Sequence, residues 1–223
     1  KRVLRDFRYD RGPAAKDIVL NRSQEHCIKS INEKLFSSHR FLIHGVTGSG
    51  KTEIYMNVCR RVLEKGRKAL VLVPEISLTP QLFERFENMF GEKVAVYHSH
   101  MSPGERYDRW LEILNGDVDL VIGTRSALYA PLKDPGIIIM DEEHDPSYKE
   151  NSMVRYNTRD VAAELSVIKG IPLVMGSATP SISTRYMAQE KKDYTLLRVP
   201  EKAQNTGRVE RVVVDLKRRD RKK

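Results

Sequence analysis

One stretch constrains the fold of this chain more than any other: residues 45–52 read Gly-Val-Thr-Gly-Ser-Gly-Lys-Thr. They match the Gly-x4-Gly-Lys-Ser/Thr pattern of a phosphate-binding loop, which joins a buried strand to the start of a helix. Residues 41–44 form a short apolar run of strand length, and apolar residues then recur at helical spacing until Gly66, which is placed to end the helix. The sequence therefore predicts a strand–loop–helix unit that binds a nucleotide.

The residues of this loop have separate expected roles. Glycine lets successive backbone N–H groups converge on phosphate oxygens, and the helix N-terminus adds the positive end of its dipole. Lys51 is expected to reach the β- and γ-phosphates, and the Thr52 hydroxyl is expected to hold Mg²⁺. The predicted nucleotide-binding residues of the loop are Gly45, Thr47, Gly48, Ser49, Gly50, Lys51 and Thr52.

Composition limits the class of protein. With 223 residues, 40% hydrophobic and 31% charged, the chain fits one globular domain with tails. No apolar run reaches the roughly 18 residues of a membrane span, and the N-terminus lacks the apolar segment of a signal peptide. The two cysteines, Cys27 and Cys59, fall in predicted helices and indicate neither a disulfide framework nor a zinc site. We therefore expect a cytoplasmic protein with no membrane partner and no zinc site.

The net charge of +9 invites a nucleic-acid interpretation, but its distribution weakens that argument. Residues 1–11 carry five positive and two negative charges, and residues 217–223 carry six and one. These ends supply +3 and +5, which leaves +1 for everything between them. Solvated basic ends are the favoured interpretation, and residues 1–17, which include a Gly-Pro break, are predicted to be a basic linker.

The order of the apolar segments predicts an α/β fold. Short apolar runs alternate with amphipathic helical patterns, which is typical of a mainly parallel sheet with helices on both faces. The predicted strands are 41–44, 69–73, 94–97, 120–122, 137–140 and 172–175, with one more possible strand at 209–216. The expected buried residues of two helices are Tyr107, Trp110, Leu111 and Leu114 at 103–114, and Val161, Leu165 and Ile168 at 158–168.

Acidic residues follow the fifth predicted strand. Asp141 is placed to reach the Mg²⁺ held by Thr52, directly or through a water, and Glu142 to polarise the water that attacks the γ-phosphate. Acidic residues after a strand are often only part of a loop. The phosphate-binding loop that precedes them by about 90 residues favours the catalytic interpretation.

Longer strings carry a resemblance to a known family. The phosphate-binding loop, then Asp-Glu-Glu-His at 141–144, then Gly-Ser-Ala-Thr-Pro at 176–180 is the motif order of superfamily 2 helicases. Within that superfamily the chain resembles the bacterial primosomal replication-restart helicases over about residues 18–216. The segments that carry this closer resemblance are 45–53, 72–81, 98–99, 104–106, 122–131, 141–149, 155–156, 159–160 and 177–181.

The resemblance implies a P-loop NTPase fold, that of a RecA-like helicase lobe, with ATP and Mg²⁺ as cofactors. It also implies that Gln24 reads the adenine, although a glutamine at the start of a helix is, from spacing alone, usually only solvated. The residues expected to be catalytic are Lys51, Asp141, Glu142 and His144.

The same resemblance implies contacts with single-stranded DNA. The residues that match backbone-contacting motifs are Pro74, Glu75, Thr124, Arg125 and Ser126. Ser177 and Thr179 match a motif that couples the nucleotide state to the grip on DNA, by hydrogen bonds toward His144 and Glu142. An aromatic-rich loop that stacks on unpaired bases is implied for Tyr148, Lys149, Arg155 and Tyr156, with a polar surface loop as the alternative.

By resemblance, residues 18–200 are expected to be the first, ATP-binding lobe of a larger helicase, and 201–223 a connector toward a second lobe that this sequence lacks. The implied activity couples ATP hydrolysis to 3′-to-5′ translocation and to unwinding at stalled forks during replication restart. The implied partners are single-stranded and forked DNA and, through the full-length parent, replication-restart proteins and single-stranded-DNA-binding protein.

Two other functions are alternatives to that activity. Losing the second lobe's arginine finger lowers turnover by about 10³–10⁵-fold, so one alternative is a catalytically silent, nucleotide-gated module that binds DNA or protein. A small-molecule kinase is disfavoured, because the Ser-Ala-Thr and Asp-Glu-Glu-His pairing is not typical of kinases.

Overall fold

The computed structural model describes residues 19–152 and 154–203. Its strands are β1 (Arg40–Gly45), β2 (Lys68–Leu72), β3 (Val94–Tyr97), β4 (Leu120–Gly123), β5 (Pro135–Met140), β6 (Lys149–Glu150), β7 (Tyr156–Asn157), β8 (Leu173–Ser177) and β9 (Thr195–Val199). Seven of them form one sheet in the order β3-β4-β2-β5-β8-β1-β9, and each neighbouring pair is parallel. The predicted linker at 1–17, the possible strand at 209–216 and most of the predicted connector lie outside the described residues.

Helices cover both faces of this sheet, which confirms the predicted fold class. They are α1 (Arg22–Asn32), α2 (Lys51–Glu64), α3 (Pro80–Phe90), α4 (Pro103–Asn115), α5 (Thr158–Lys169) and α6 (Ile182–Gln189). Along β5, Ile137 and Ile139 join the core under α1, α2 and α3, whereas Ile138 and Met140 join the core under α4, α5 and α6. Within the described part of the chain, no helix is long and apolar enough to cross a bilayer.

Two helices begin at capping boxes. Asn21 caps α1, and its side chain accepts from the Gln24 N–H while the Gln24 side chain accepts from the Asn21 N–H. Ser102 and Glu105 form the same reciprocal pair at α4, with Pro103 as the first helical residue. Each pair satisfies backbone donors that the first turn of a helix leaves unpaired, and so fixes where the helix starts.

The predicted buried faces of α4 and α5 are partly wrong. Tyr107 and Leu114 are exposed, and the buried residue of α4 is Ile113, with Trp110 packed beside it. At 100° per residue, positions 110 and 113 share a face that is turned about a quarter of a circle from positions 107 and 114. In α5, Ile168 is exposed because the buried positions are the small residues Ala162, Ala163 and Ser166.

The edge strand β9 and helix α6 were not predicted. β9 pairs with β1, from Phe41 opposite Thr195 to Gly45 opposite Val199. Its short run, Thr-Leu-Leu-Arg-Val, follows polar residues, and α6 exposes Ile182 and Tyr186, so neither segment has a clear apolar period. After β9 the chain runs along the phosphate-binding loop, where Val46 N–H donates to Val199 O (3.3 Å) and Ala203 N–H donates to Gly48 O (2.9 Å).

Candidate functional site

The sheet order brings three predicted segments to one edge. β8 lies between β5 and β1, and all three strands are parallel, so their carboxyl ends are neighbours. The segments that follow these ends are the loop at 45–52, the acidic segment at 141–144 and the segment at 177–181. Ligands of parallel sheets bind at this edge.

The loop at 45–52 has the backbone of an anion-binding loop. Gly48 and Gly50 both have φ of 77°, a region that glycine enters without a steric penalty, and Gly50 leads directly into α2. The Ser49 hydroxyl is buried and has no hydrogen-bond partner among the described residues. Lys51 Nζ donates to Gly45 O at 3.3 Å. A free hydroxyl, a lysine and a helix N-terminus at one place are suited to phosphate oxygens.

Gln24 is buried against this loop, so its interpretation as a merely solvated residue is wrong. Its Nε2 donates to Ser49 O (2.9 Å), while its Oε1 accepts from the Asn21 N–H (2.8 Å). The side chain is 1% exposed. An amide has two donors and two acceptor sites, so one of each remains beyond these two bonds. Contact with an adenine stays a prediction.

Asp141 is held by two tyrosines, Tyr55 of α2 and Tyr148, for which the resemblance implies base stacking. The Tyr55 hydroxyl donates to Asp141 Oδ1 (2.8 Å), and the Tyr148 hydroxyl donates to Asp141 O (2.8 Å). Burial raises the pKa of the Asp141 carboxyl, and the Tyr55 hydrogen bond opposes this shift. The period of α2 marks Tyr55 as buried, but it carries no information about which group its hydroxyl meets.

Glu142 connects the loop to the segment at 177–181. Its Oε1 lies 3.1 Å from Lys51 Nζ, and its Oε2 accepts from Ala178 N–H (3.3 Å) and from Ser177 Oγ (3.4 Å). Its backbone has a φ of 42°, in the left-handed region that non-glycine residues seldom occupy. Such outliers are typical of functional sites held by their surroundings.

His144 completes the contact between the second and third segments. Its Nδ1 lies 2.8 Å from Ser177 Oγ, and its Nε2 lies 3.3 Å from Thr179 Oγ1. The hydrogen bonds expected of Ser177 and Thr179 toward His144 and Glu142 are therefore present, with Thr179 reaching only His144. The coupling role of these residues stays a prediction.

Oxygen ligands suited to Mg²⁺ are present at this edge. Thr52 supplies a hydroxyl in the first turn of α2, and Asp141 supplies a carboxylate, the hard donors that Mg²⁺ prefers together with water and phosphate. Residues 19–152 and 154–203 contain no group of three or more His, Cys, Asp or Glu side chains that would hold a metal without such help. These residues therefore fit a metal that arrives with its nucleotide.

Comparison with known proteins identifies the family of this chain. The sequence profile of the DEAD/DEAH box helicases matches residues 21–187. The chain belongs to the DEAD/DEAH box helicase family. The matched range includes each of the three segments that meet at the carboxyl edge of the sheet.

Within this helicase family the chain is similar to replication restart proteins. It is 45% identical over 202 residues to the replication restart protein PriA of Bacillus subtilis, covering 90% of this chain and 25% of that protein. It is 47% identical over 185 residues to PriA of Synechocystis, covering 80% of this chain and 22% of that protein. The chain thus spans about a quarter of the length of these curated relatives.

A solved structure shares the fold. The structure of RecG bound to a three-way DNA junction superposes with a TM-score of 0.57 at 23% identity, covering 82% of this chain and 24% of RecG. At this identity the likeness supports the RecA-like α/β fold, which agrees with the helicase family profile.

The residues expected to contact the DNA backbone lie at two places on the carboxyl edge, after β2 and after β4. Pro74 is buried and the adjacent Glu75 is exposed, directly after β2. After β4, the hydroxyls of Thr124 and Ser126 are buried without a partner in the described part of the chain. Arg125 pairs with Glu150 (3.0 Å) and donates to the backbone oxygens of Ser147 and Lys149.

Within the expected aromatic-rich loop, Tyr148 departs from the helicase prediction. It is 2% exposed and its hydroxyl is bound to Asp141 O, so it does not present a face on which a base stacks. Its side chain instead packs beneath the acidic segment, where its hydroxyl binds the Asp141 backbone. Lys149 and Arg155 are exposed, and Tyr156 is half-buried with its ring edge-on to Tyr129 (5.6 Å between centroids).

A buried charge cluster that the sequence did not predict lies beside the candidate site. Glu143 has a fully buried side chain and contacts Arg159, Ser181 and Thr184. Locally, Glu143 is one of three consecutive acidic residues, so no pattern separates it from its neighbours. Its partners come from the first turns of α5 and α6, which only the tertiary fold brings together.

Proposed function

We propose that this chain is the ATP-binding lobe of a DNA helicase that couples ATP hydrolysis to 3′-to-5′ movement on single-stranded DNA during replication restart. The observation that carries this proposal is the position of Glu142. Its carboxylate contacts Lys51 of the phosphate-binding loop and Ser177 and Ala178 of the third segment. One carboxylate thereby joins the nucleotide side of the site to the segment proposed to couple it to DNA.

The proposed reaction is attack of water on the γ-phosphate of ATP, which releases ADP and phosphate. Lys51 binds the β- and γ-phosphate oxygens, and this contact replaces its ion pair with Glu142. The freed Glu142 carboxylate orients the attacking water and accepts its proton. Thr52 and Asp141 would hold Mg²⁺, which would neutralise charge on the phosphate oxygens.

Coupling to DNA is proposed to pass through hydrogen bonds on the other side of Glu142. Ser177 contacts both Glu142 and His144, and Thr179 contacts His144. A movement of the Glu142 carboxylate would therefore shift the segment at 177–181. Arg125 is proposed to bind a phosphate of the DNA backbone. Its guanidinium contacts the loop at 147–150, which follows His144 in the chain. Single-stranded and forked DNA are therefore the proposed ligands.

The decisive experiment is ATP turnover by this chain with and without single-stranded DNA. Lys51→Ala is expected to abolish both nucleotide binding and turnover. The control is Lys65→Ala, which is expected to change neither. Lys65 follows the end of α2, away from the loop, and its ammonium lies over the Phe36 ring. A folded wild-type chain that binds no nucleotide would overturn the proposal. DNA-stimulated turnover that survives Lys51→Ala would overturn the role of the loop.

A second candidate is a nucleotide-gated DNA-binding module without turnover. It requires only the contacts of Glu142 with Lys51, Ser177 and Ala178, which join the nucleotide side of the site to the segment at 177–181 without any turnover. Mg²⁺-dependent nucleotide binding that changes DNA affinity, with no turnover, would select this candidate.

The polarity of the proposed movement needs a separate measurement. Duplexes with either a 3′ or a 5′ single-stranded extension are offered with ATP, and strand separation is followed by fluorescence. Unwinding of the 3′-extended duplex alone is the expected result, and preference for the 5′-extended duplex would contradict the proposed direction.

A further inference from the structure

We propose that Glu143 and Arg159 form a positioning pair that fixes the segment at 177–181 against Glu142. Neither residue touches a reactant. The inference rests on the proposed function only in treating Glu142 as the residue whose position matters. It assigns a role to the third acidic residue of Asp-Glu-Glu-His and to an arginine 16 residues further along.

The Glu143 carboxylate is buried and surrounded by donors. It accepts from Ser181 N–H at 2.6 Å, from Thr184 Oγ1 at 2.9 Å and from Ser181 Oγ at 3.1 Å. Its side chain is 0% exposed, and Arg159 Nη1 lies 3.3 Å away. An ionised carboxylate is tolerated at a buried position only when its oxygens have hydrogen-bond partners. The fold therefore needs these donors around Glu143.

Arg159 links the same residues from the other side. Its Nη1 lies 2.9 Å from Ser181 Oγ, 3.0 Å from Thr184 Oγ1 and 3.2 Å from Ser183 Oγ. Arg159 belongs to the first turn of α5, and the three hydroxyls belong to the start of α6. The pair therefore joins the beginnings of two helices to the acidic segment.

The consequence for Glu142 follows from adjacency in the chain. Glu142 holds the near end of the third segment through Ser177 Oγ and Ala178 N–H, and Glu143 holds its far end through Ser181. The Glu143 N–H also donates to Gly176 O at 3.1 Å, just before that segment. Two neighbouring carboxylates thus hold the two ends of one short segment, and loss of the second frees the first to move.

Amide hydrogen exchange tests this role without requiring catalysis. Exchange is measured by NMR at the Ala178 and Thr179 amides, which donate to Glu142 Oε2 and to Ser177 Oγ rather than to Glu143. In Glu143→Gln and in Arg159→Met, both amides are expected to exchange roughly tenfold faster, the scale of a lost hydrogen bond to a charged group. Ser166→Ala is the matched control, since it removes a buried hydroxyl bond from the other end of α5.

The outcomes distinguish a pair that positions the segment at 177–181 from a pair that only holds Ser181 at the start of α6. Faster exchange confined to Ser181, with Ala178 and Thr179 unchanged, would overturn the proposal. If Glu143→Gln also accelerates exchange in the central strands, Thr184→Ala replaces it, because this variant removes one donor and leaves the ion pair. The same two amides then decide. Since no nucleotide is present, failure here is distinct from failure of the proposed ATPase.

Discussion

The Tyr55 hydroxyl donates to Asp141 Oδ1 at 2.8 Å, which joins the helix after the phosphate-binding loop to the acidic segment after β5. The glycine of the Gly-Ser-Ala-Thr-Pro string, Gly176, packs against the same hydroxyl, because a Cβ added at this position would overlap it. The Tyr55 hydroxyl therefore lies between Asp141 of the acidic segment and Gly176, the residue just before the segment at 177–181.

Gly176→Ala is expected to lower the free energy of unfolding by about 1–3 kcal/mol, because the new methyl overlaps the Tyr55 ring and hydroxyl. Urea denaturation measures the change. Gly104→Ala is the control, since an added Cβ there meets nothing within 4 Å and its helical position favours alanine. The double variant Gly176→Ala/Tyr55→Phe is expected to recover part of the loss. Equal stability of the two alanine variants would contradict the close approach.

Tyr55→Phe by itself is expected to cost about 1.5–3 kcal/mol of the free energy of unfolding, the range for a hydrogen bond to a charged group, because it leaves the half-buried Asp141 carboxylate with one donor fewer. The variant is also expected to need more Mg²⁺ for tight nucleotide binding, which fluorescence titration measures. Tyr186→Phe, at an exposed site on α6, serves as the comparison and is expected to change neither property. A Tyr55→Phe protein indistinguishable from wild type would remove Tyr55 from the site.

The rotation of α4 is testable by two adjacent substitutions. Ile113→Ala is expected to cost about 2–5 kcal/mol, because this side chain is fully buried in the core under α4. Leu114→Ala is expected to stay within about 0.5 kcal/mol, since its side chain is exposed. Thermal unfolding of both variants decides the matter, and the reverse order of costs would restore the face expected from sequence.

Both cysteine thiols are expected to resist modification in the native protein. Burial raises the pKa of Cys27 to about 11 and raises that of Cys59 further, and the thiolate is the reactive form. A thiol-specific disulfide reagent at pH 8 should therefore label neither residue until the protein unfolds. Labelling at the rate of a free peptide would contradict this burial.

The same thiols predict an alkaline loss of stability. The folded state keeps these protons to higher pH than the unfolded state, whose thiols ionise near pH 8.5. Folded protein thus binds more protons between about pH 8.5 and the raised values, and stability falls as pH rises through that window. Replacing both residues by alanine is expected to flatten this part of the pH profile of unfolding. An unchanged slope would assign the alkaline loss to other groups.

Arg125 is expected to bind a DNA phosphate in competition with Glu150, its partner at 3.0 Å. Arg125→Ala should weaken single-stranded DNA binding and reduce the slope of log affinity against log salt by about 0.7, the contribution of one phosphate contact. Glu150→Gln should strengthen binding, because the guanidinium no longer has a competing carboxylate. Fluorescence anisotropy across a salt series measures both, and identical slopes for Arg125→Ala and wild type would exclude this contact.

The sequence predicted the parts of the site that depend on local pattern and strand order. Residues 45–52 carry their own motif, and Asp141 and Glu142 follow a strand whose carboxyl end must share an edge with that loop in a parallel sheet. The motif order also indicated the helicase family to which the chain belongs. These inferences need only short segments and the rule that parallel strands point the same way.

The remaining parts depend on contacts between residues far apart in sequence. Gln24 is buried because its amide meets Ser49, 25 positions away, and Glu143 is satisfied by Ser181 and Thr184, 38 and 41 positions away. No helical or strand period encodes such pairs. The predicted buried face of α4 was partly wrong for a related reason. Several apolar residues offered two plausible faces, and the packing of the helix against the sheet selected one of them.

The hydrogen bonds from Val46 N–H to Val199 O and from Ala203 N–H to Gly48 O link the segment after β9 to the backbone of the loop at 45–52. A pull on Ala203 is borne first by the backbone of that loop and only then by the hydrophobic core. Conversely, a displacement of Gly48 shifts Ala203. Tension and nucleotide occupancy therefore act on the same few backbone atoms.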